Sequence, residues 1–332
     1  MTGYGGTFLY DVGDPLHPRA VCKLSNTVAH FVTGTSFEYL VPRADGTTDV
    51  VLHALGSNNE SIVANFKADL YHGPGGWYNQ VAWGPSLTAM AYLAGGGTDA
   101  SGFGITDVWL ATTSGRSKIY SYSVPGRDMF GRPGFAPETL GFSPDGAYLA
   151  AGSTIATSPR VFRLSDRADV TPAWPADFRF AFWGRQDDTL FIVGLQSVAT
   201  WKPGGAVTAV PSTPGWALDP NLSPDGTQVA FTALTSTRDV RPYVYDLGAR
   251  TSHLLVNQSR SSTSFVRKGW VWYAEEKPCV VSDTNPCFDP TQPDGNVLGF
   301  ELATGRETLV TFAPGEGATN FGFQLGDLWP TT

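Results

Sequence analysis

Charge is scarce in this chain. Only 16% of its 332 residues are Asp, Glu, Lys or Arg, against about 25% in an average soluble domain, while 42% are hydrophobic, so the chain must bury a large core. The charges that favour helices are scarcest, with 6 Lys and 8 Glu against 16 Arg and 22 Asp. Glu and Lys suit helices whereas Asp suits turns. Together with 38 Gly and 24 Pro this imbalance excludes long helices and points to an all-β fold.

Long apolar runs are missing too. No stretch approaches the ~18 residues that mark a membrane-spanning helix, and the start MTGYGGTFLYDV has neither the basic nor the apolar region of a signal peptide. The chain reads as soluble, either starting natively at Met1 or following a removed leader. Its net charge is −8 and its basic residues are scattered, which removes the electrostatic footprint of a nucleic-acid binder. Signatures of catalysis are also wanting: there is no Gly-x-Ser-x-Gly elbow, no His-Glu-x-x-His and no Walker loop. The five histidines do not pair at ligand spacing, and the adjacent carboxylates Glu275 and Glu276 end a strand pointing to opposite sides. An oxygen-rich run, Asp283, Asn285, Asp289 and Asp294, lacks the glycine and terminal Glu of an EF-hand loop. No cofactor and no metal are expected.

There are three cysteines. Cys22 lies in the apolar pattern RAVCKL and reads as a small buried hydrophobe. Cys279 and Cys287 share the Pro/Asp/Asn-rich segment KPCVVSDTNPCFDP, where a local disulfide would restrain a loose loop. Two free thiols, or metal ligation, are the alternatives. A disulfide would place the protein outside the cytoplasm. Asn59, Asn221 and Asn257 open Asn-x-Ser sequons, which matter only in a glycosylating pathway.

What the sequence does contain is repetition. LGFSPDGAYLAAG (140–152) and PNLSPDGTQVAFTA (220–233) each place Ser-Pro-Asp-Gly between two strand-like runs. Pro fixes φ at the second turn position, Asp caps the turn and Gly supplies a positive φ, so each segment is a hairpin. Degenerate copies follow the same frame at 29–41, 81–94, 180–194, 264–276 and 321–329, and each is followed by a further strand pair. Seven hairpins in 332 residues give about 47 residues per four-stranded unit, the size of a propeller blade. The seventh strand pair comes from the other terminus, residues 6–24. The expected architecture is therefore an all-β, seven-bladed β-propeller over residues 1–332, one domain, its closing blade shared between the termini. A six-bladed count with irregular closure is the alternative, because FGFQLGDLWPTT leaves few residues for a second strand.

The Ser-Pro-Asp-Gly hairpins resemble the WD-like repeats of the TolB type, which also occur in the propeller domains of prolyl-oligopeptidase-like proteins. Two repeats match well and five by pattern only. The resemblance implies the fold and not an activity, because neither the small α/β domain of TolB nor a hydrolase domain is present. The Asp-box of sialidases does not match, since Gly directly follows Asp here.

With blade strands lettered A to D, the A–B and C–D connections are short turns, such as SPDG, KPGG and ATGR. The long ones, at 67–78, 94–104, 124–135, 211–216, 233–241 and 275–295, all join B to C or D to the next A. Loops beyond the ~4–6-residue median usually carry function, so one end of the blades is the candidate recognition face. Aromatic residues fall in or beside it: Tyr71, Trp77, Tyr78, Phe103, Phe130, Phe135, Trp174 and Trp216. Such rings either stack on a ligand or fold inward to pin Gly-rich loops. Trp83, Trp109, Trp183, Trp201 and Trp272 lie within strands and are expected in blade cores. Polar residues open the first strands: Asn79, Glu138, Arg179, Asp219, Ser262 and Asn320.

The resulting expectation is a non-catalytic binding or scaffold propeller outside the cytoplasm, taking a protein, peptide or glycan ligand on its loop-rich face. The candidate ligand-binding residues are Trp77, Tyr78, Phe135, Trp174, Trp216, Glu138, Arg179 and Asp219. The rival expectation is an enzyme acting on carbohydrate or a lactone, with Glu138 and Asp219 as its acid/base or metal-binding groups.

Overall fold

The computed structural model describes the chain outside residues 1, 4–5, 25–28, 34–35, 56, 58, 67–80, 86–88, 113, 125–137, 154–158, 195, 212–213, 217, 237–238, 276–295 and 313–332. The described residues form seven antiparallel sheets, six of four strands and one of three. In every four-stranded sheet the strands lie in chain order, each paired with the one before it. This is the construction of a β-propeller, blade after blade. No helix among the described residues is long and apolar enough to cross a membrane.

The chain divides into two compact units. Residues 28–210 hold four blades: blade 1 (Ala29–Thr33, Ser36–Pro42, Thr48–Ala54, Glu60–Phe66), blade 2 (Val81–Trp83, Ala89–Thr98, Gly104–Thr112, Gly115–Val124), blade 3 (Glu138–Phe142, Tyr148–Ser153, Arg160–Arg163, Ala168–Asp169) and blade 4 (Phe178–Trp183, Leu190–Gly194, Val198–Trp201, Thr208–Ala209). Residues 1–27 and 211–332 form the second unit. It holds blade 5 (Leu218–Leu222, Gln228–Ser236, Asp239–Asp246, Thr251–Leu254), blade 6 (Arg260–Arg267, Trp270–Glu275, Val297–Glu301, Arg306–Leu309) and the three-stranded N-terminal sheet (Thr2–Gly3, Gly6–Asp11, Arg19–Leu24).

The two Ser-Pro-Asp-Gly segments fold alike. Ser143 N–H donates to Tyr148 O at 2.9 Å and Gly146 N–H to Ser143 O at 2.8 Å, closing the turn. Ser143 Oγ donates to Asp145 Oδ1 (2.5 Å) and accepts from Tyr148 N–H (2.9 Å). Ser223 repeats the pattern with Asp225 (2.7 Å) and Gln228 N–H (3.0 Å). Gly146 and Gly226 take φ of 72° and 67°, the left-handed region that a side chain disfavours. The degenerate copies at 81–94 and 180–194 keep the hairpin and lose the serine: Gly84 and Gly184 occupy its place, donating to Ala89 O (3.0 Å) and Thr189 O (2.7 Å).

Core packing follows the alternation of each strand. Trp183, Trp201 and Trp272 are buried, while Trp83 and Trp109 pack partly buried against the cluster of Val50, Phe66 and Met90, so the in-strand tryptophans are blade core as expected. Blade 6 packs on its two sides against different neighbours. Tyr273, Phe265 and Phe300 cluster with Ala230 and Val244 of blade 5, whereas Trp272, Val266 and Val310 cluster with Val12 of the N-terminal segment and with Phe312. Trp272 Nε1 donates to Pro15 O at 2.9 Å, Thr311 N–H to Leu16 O at 2.8 Å and Arg267 Nη1 to Gly13 O. Tyr10 meets Phe312 edge-on at 5.7 Å. The N-terminal sheet is thus fastened beside blade 6. The C-terminal hairpin expected at 321–329 lies outside the described residues.

Candidate functional site

The B–C and D–A connections, taken as the recognition end, are built in more than one way. Two of the segments read as loops are in large part strand. Residues 94–104 continue Ala89–Thr98 into Gly104–Thr112, pairing as far as Thr98↔Gly104 across a bulge, and Gly104 pairs in turn with Val124. Residues 233–241 likewise continue a ribbon to Ser236↔Asp239. The loop expectation is corrected at both places: glycines and small residues weaken strand propensity, but an outward ribbon needs only backbone pairing. Three other long connections, at 67–80, 125–137 and 276–295, lie outside the described residues.

The blade 2 ribbon ends in a locked tip. Asp99 N–H donates to Phe103 O (2.8 Å) and Gly102 N–H to Asp99 O (3.0 Å), while Asp99 Oδ1 accepts from Ser101 N–H (2.8 Å) and Phe103 N–H (2.9 Å). The Phe103 amide, first, and the Ser123 hydroxyl hold the Asp99 carboxyl below the usual carboxylate range. Phe103 itself stands 39% exposed. Four hydrogen bonds therefore fix a turn that presents one apolar ring to solvent.

Of the aromatic candidates, one is buried and another is drawn into packing. Trp216 is 0% exposed, sandwiched by Phe231 (5.9 Å) and Tyr245 (5.3 Å). Trp174 is half-buried, its ring 4.7 Å from Phe178 and its Nε1 donating to Pro159 O at 2.8 Å. Trp216 folds inward and pins the segment that carries it, so it is not an exposed anchor, while Trp174 packs one side of its ring against Phe178. Trp77, Tyr78 and Phe135 lie outside the described residues, as do Tyr71, Phe130, Cys279 and Cys287.

Of the polar residues taken to open first strands, three sit at or beside irregular pairing. Register shifts fall between Phe178 and Phe180, spanning Arg179; between Leu218 and Asn221, spanning Asp219; and between Ser261 and Ser264, spanning Ser262. Pro220, which has no N–H to give a ladder, accounts for the second. Ser262 has φ of 53° and is preceded in its strand by Arg260. Glu138 opens its strand in regular register with Ser153. Asn79 and Asn320 are outside the described residues. A bulge leaves an extra residue without a partner in the ladder, which is the backbone setting of Arg179 and Asp219.

Sequence reasoning missed an ion pair between a buried arginine and a half-buried glutamate. Arg260 Nε and Nη2 donate to Glu307 Oε2 (3.2 Å) and Oε1 (3.1 Å), and Tyr273 Oη donates to the same carboxylate at 2.6 Å. Burial opposes ionisation of Glu307, but the hydrogen bonds from Arg260 and Tyr273 outweigh it and lower its pKa from the ordinary 4.5. Residues 260 and 307 lie on the first and fourth strands of blade 6, a separation that no local pattern reveals. Asn221, a sequon residue, is likewise occupied: its amide donates to Thr263 O (2.9 Å) and Ser264 Oγ (3.0 Å) and accepts from Phe265 N–H (2.9 Å).

Among the described residues no three His, Cys, Asp or Glu converge as a metal site. Carboxylates with displaced ionisation, such as Asp99, Asp177 and Glu307, are all shifted downward by hydrogen bonds. They serve as charged acceptors that hold turns and strands together.

No protein-family model matches the chain. A protein TolB homolog of Chlorobium luteolum is 30% identical over 162 residues, 44% of this chain and 35% of the relative, so the chain matches about a third of that protein's length. Among solved structures, TolB from Acinetobacter baumannii is similar with a TM-score of 0.43 at 14% identity, over 88% of this chain and 67% of that one. A putative 6-phosphogluconolactonase from Bacteroides fragilis gives a TM-score of 0.47 at 12% identity, over 93% and 92%. At the level of the fold, the chain resembles the TolB-type β-propellers.

Proposed function

We propose that this propeller is a non-catalytic binding protein that works outside the cytoplasm and recognises a protein, peptide or glycan through the B–C and D–A ends of its blades. The observation that carries this reading is the blade 2 ribbon, whose hydrogen-bonded tip holds Phe103 exposed. An apolar ring fixed in solvent loses little conformational entropy on binding and so suits an anchor role. Trp77, Tyr78 and Phe135, in connections that the repeat pattern of the sequence assigns to that end, are proposed as further contacts. Glu138, Arg179 and Asp219, at the starts of first strands, are proposed as polar contacts. The similarity to a TolB homolog supports both the scaffold role and the location.

The test is a glycan and peptide array probed with the wild-type chain, Phe103→Ala and Trp77→Ala. Truncating an interface anchor typically costs 1–2 kcal/mol or more, roughly a ten-fold loss of affinity, while an exposed position leaves the melting temperature nearly unchanged. Hits that weaken in both variants support the reading. Hits that survive both overturn the aromatic part, and Glu138→Gln, Arg179→Gln and Asp219→Asn then decide whether the polar residues bind.

A further inference from the structure

Between blades 3 and 4, toward their A–B and C–D turns, lies a cleft of about 420 Å³ lined by Tyr148, Arg163, Pro172, Trp201, Pro203 and Gly205, among others. It is separate from the connections discussed above and none of its residues was singled out as a ligand contact. Its walls are fixed. Trp201 Nε1 donates to Gly205 O at 3.1 Å, holding the turn that forms one wall, and Gly205 N–H donates to Lys202 O at 2.8 Å. On the other wall Val161 N–H donates to Thr171 Oγ1 at 2.9 Å, which seats the segment leading to Pro172.

The polar groups in it are paired in charge but not exhausted in hydrogen bonding. Tyr148 and Arg163 stand opposite each other across adjacent strands. Arg163 gives Nε and Nη2 to Asp166 at 3.0 and 2.6 Å, which leaves Nη1 for another acceptor. The Tyr148 hydroxyl has no hydrogen bond among the described residues. Cations around the cleft are matched as well: Lys202 binds Asp187 at 2.7 Å and Arg160 binds Asp169 at 3.1 Å. A cleft without net charge gives no advantage to a phosphate or carboxylate, which would meet Asp166 beside the guanidinium. A ligand with hydroxyl groups can accept from Arg163 and both give to and accept from Tyr148. Its C–H faces would meet Pro172, Pro203 and the half-buried ring of Tyr148. A proline-rich peptide shares the affinity for proline and aromatic walls but offers acceptors without matching donors.

From these features we infer that the cleft between blades 3 and 4 is a binding site for a neutral saccharide of one or two rings. The volume lies within the ~300–1,000 Å³ of small-ligand sites.

The probes are maltose, cellobiose and N,N′-diacetylchitobiose, titrated against the full chain by isothermal calorimetry and by saturation-transfer NMR up to about 50 mM, where affinities of a few kcal/mol are still read. At least one is expected to bind. Tyr148→Phe and Arg163→Gln should each weaken that binding by about five-fold, the size of one hydrogen bond, with the melting temperature held. An Arg306→Gln control, on blade 6, should bind like the wild type. Absence of binding by all three sugars overturns the inference, as does binding unchanged in both variants, or a hexaproline peptide that binds where the sugars do not. These outcomes are independent of the array experiment, because Phe103 is not among the described residues that line the cleft.

Discussion

A single serine organises each of the two well-formed hairpin turns. Ser143 and Ser223 are almost completely buried, and each hydroxyl both accepts a backbone N–H and donates to an aspartate. Ser223→Ala would leave the N–H groups of Thr227 and Gln228 without that acceptor, so a loss of about 1–2 kcal/mol is expected in urea unfolding. Burial raises the pKa of Asp225, but hydrogen bonds from Ser223, Thr227 and Lys268 outweigh it and bring it to about 2, against an ordinary 3.8. A carboxyl depressed in the folded state stabilises the fold above its unfolded value and loses that contribution as pH falls through its folded value. The melting temperature of the wild type should therefore fall more steeply between pH 3.8 and about 2 than that of Asp225→Asn; equal slopes would contradict the assignment. These turns were legible in the sequence because all four residues are neighbours. The inward folding of Trp216 was not, since a Gly/Pro setting suits an exposed ring and a pinning ring equally, and Phe231 and Tyr245 lie in other strands.

At the scale of strands, the hairpin frame was readable and the ribbons were not. GGG at 95–97 looks like a loop by composition, yet Gly95 and Gly97 pair with Thr106 and Ile105. The spacing of hydrophobic residues marks where a strand is buried, and a ribbon running into solvent has no buried face to mark. The Arg260–Glu307 pair shows the same limit in another way, because it joins the first and fourth strands of one blade. Removing Arg260 leaves the half-buried Glu307 carboxylate with Tyr273 as its partner: Arg260→Met should cost about 1.5–3 kcal/mol, the range for hydrogen bonds to charged groups. Adding Glu307→Leu should restore most of the loss in chemical denaturation. A double variant as unstable as the single one would show that the pair is not what Arg260 contributes. Gly194 is constrained in the same local way, since a Cβ there would lie 2.5 Å from the Asp177 carboxyl, so Gly194→Ala is expected to be strongly destabilising by thermal melting.

For the whole molecule, the count of seven sheets was readable from repeat length, and so was the use of the N-terminus to complete the series. The expected partner of the N-terminal sheet, 321–329, is not among the described residues, but the contacts to blade 6 are. Deleting residues 1–24 would uncover Trp272, Val266 and Val310 and leave Arg267 without Gly13 O. Aggregation or loss of the cooperative melt is the expected result, followed by size-exclusion chromatography; a monomer that melts unchanged would refute closure by this segment.

Those contacts also set a clock. Trp272 and Pro15 are 257 residues apart in the chain, and at ~5–20 residues per second a ribosome needs roughly 13–50 s to make the second after the first. For all that interval the N-terminal strands have been made and have no blade 6 to rest on. A chain assembled in this order carries a waiting, strand-forming segment until blade 6 emerges, and its strand edges stay open to wrong partners for that time.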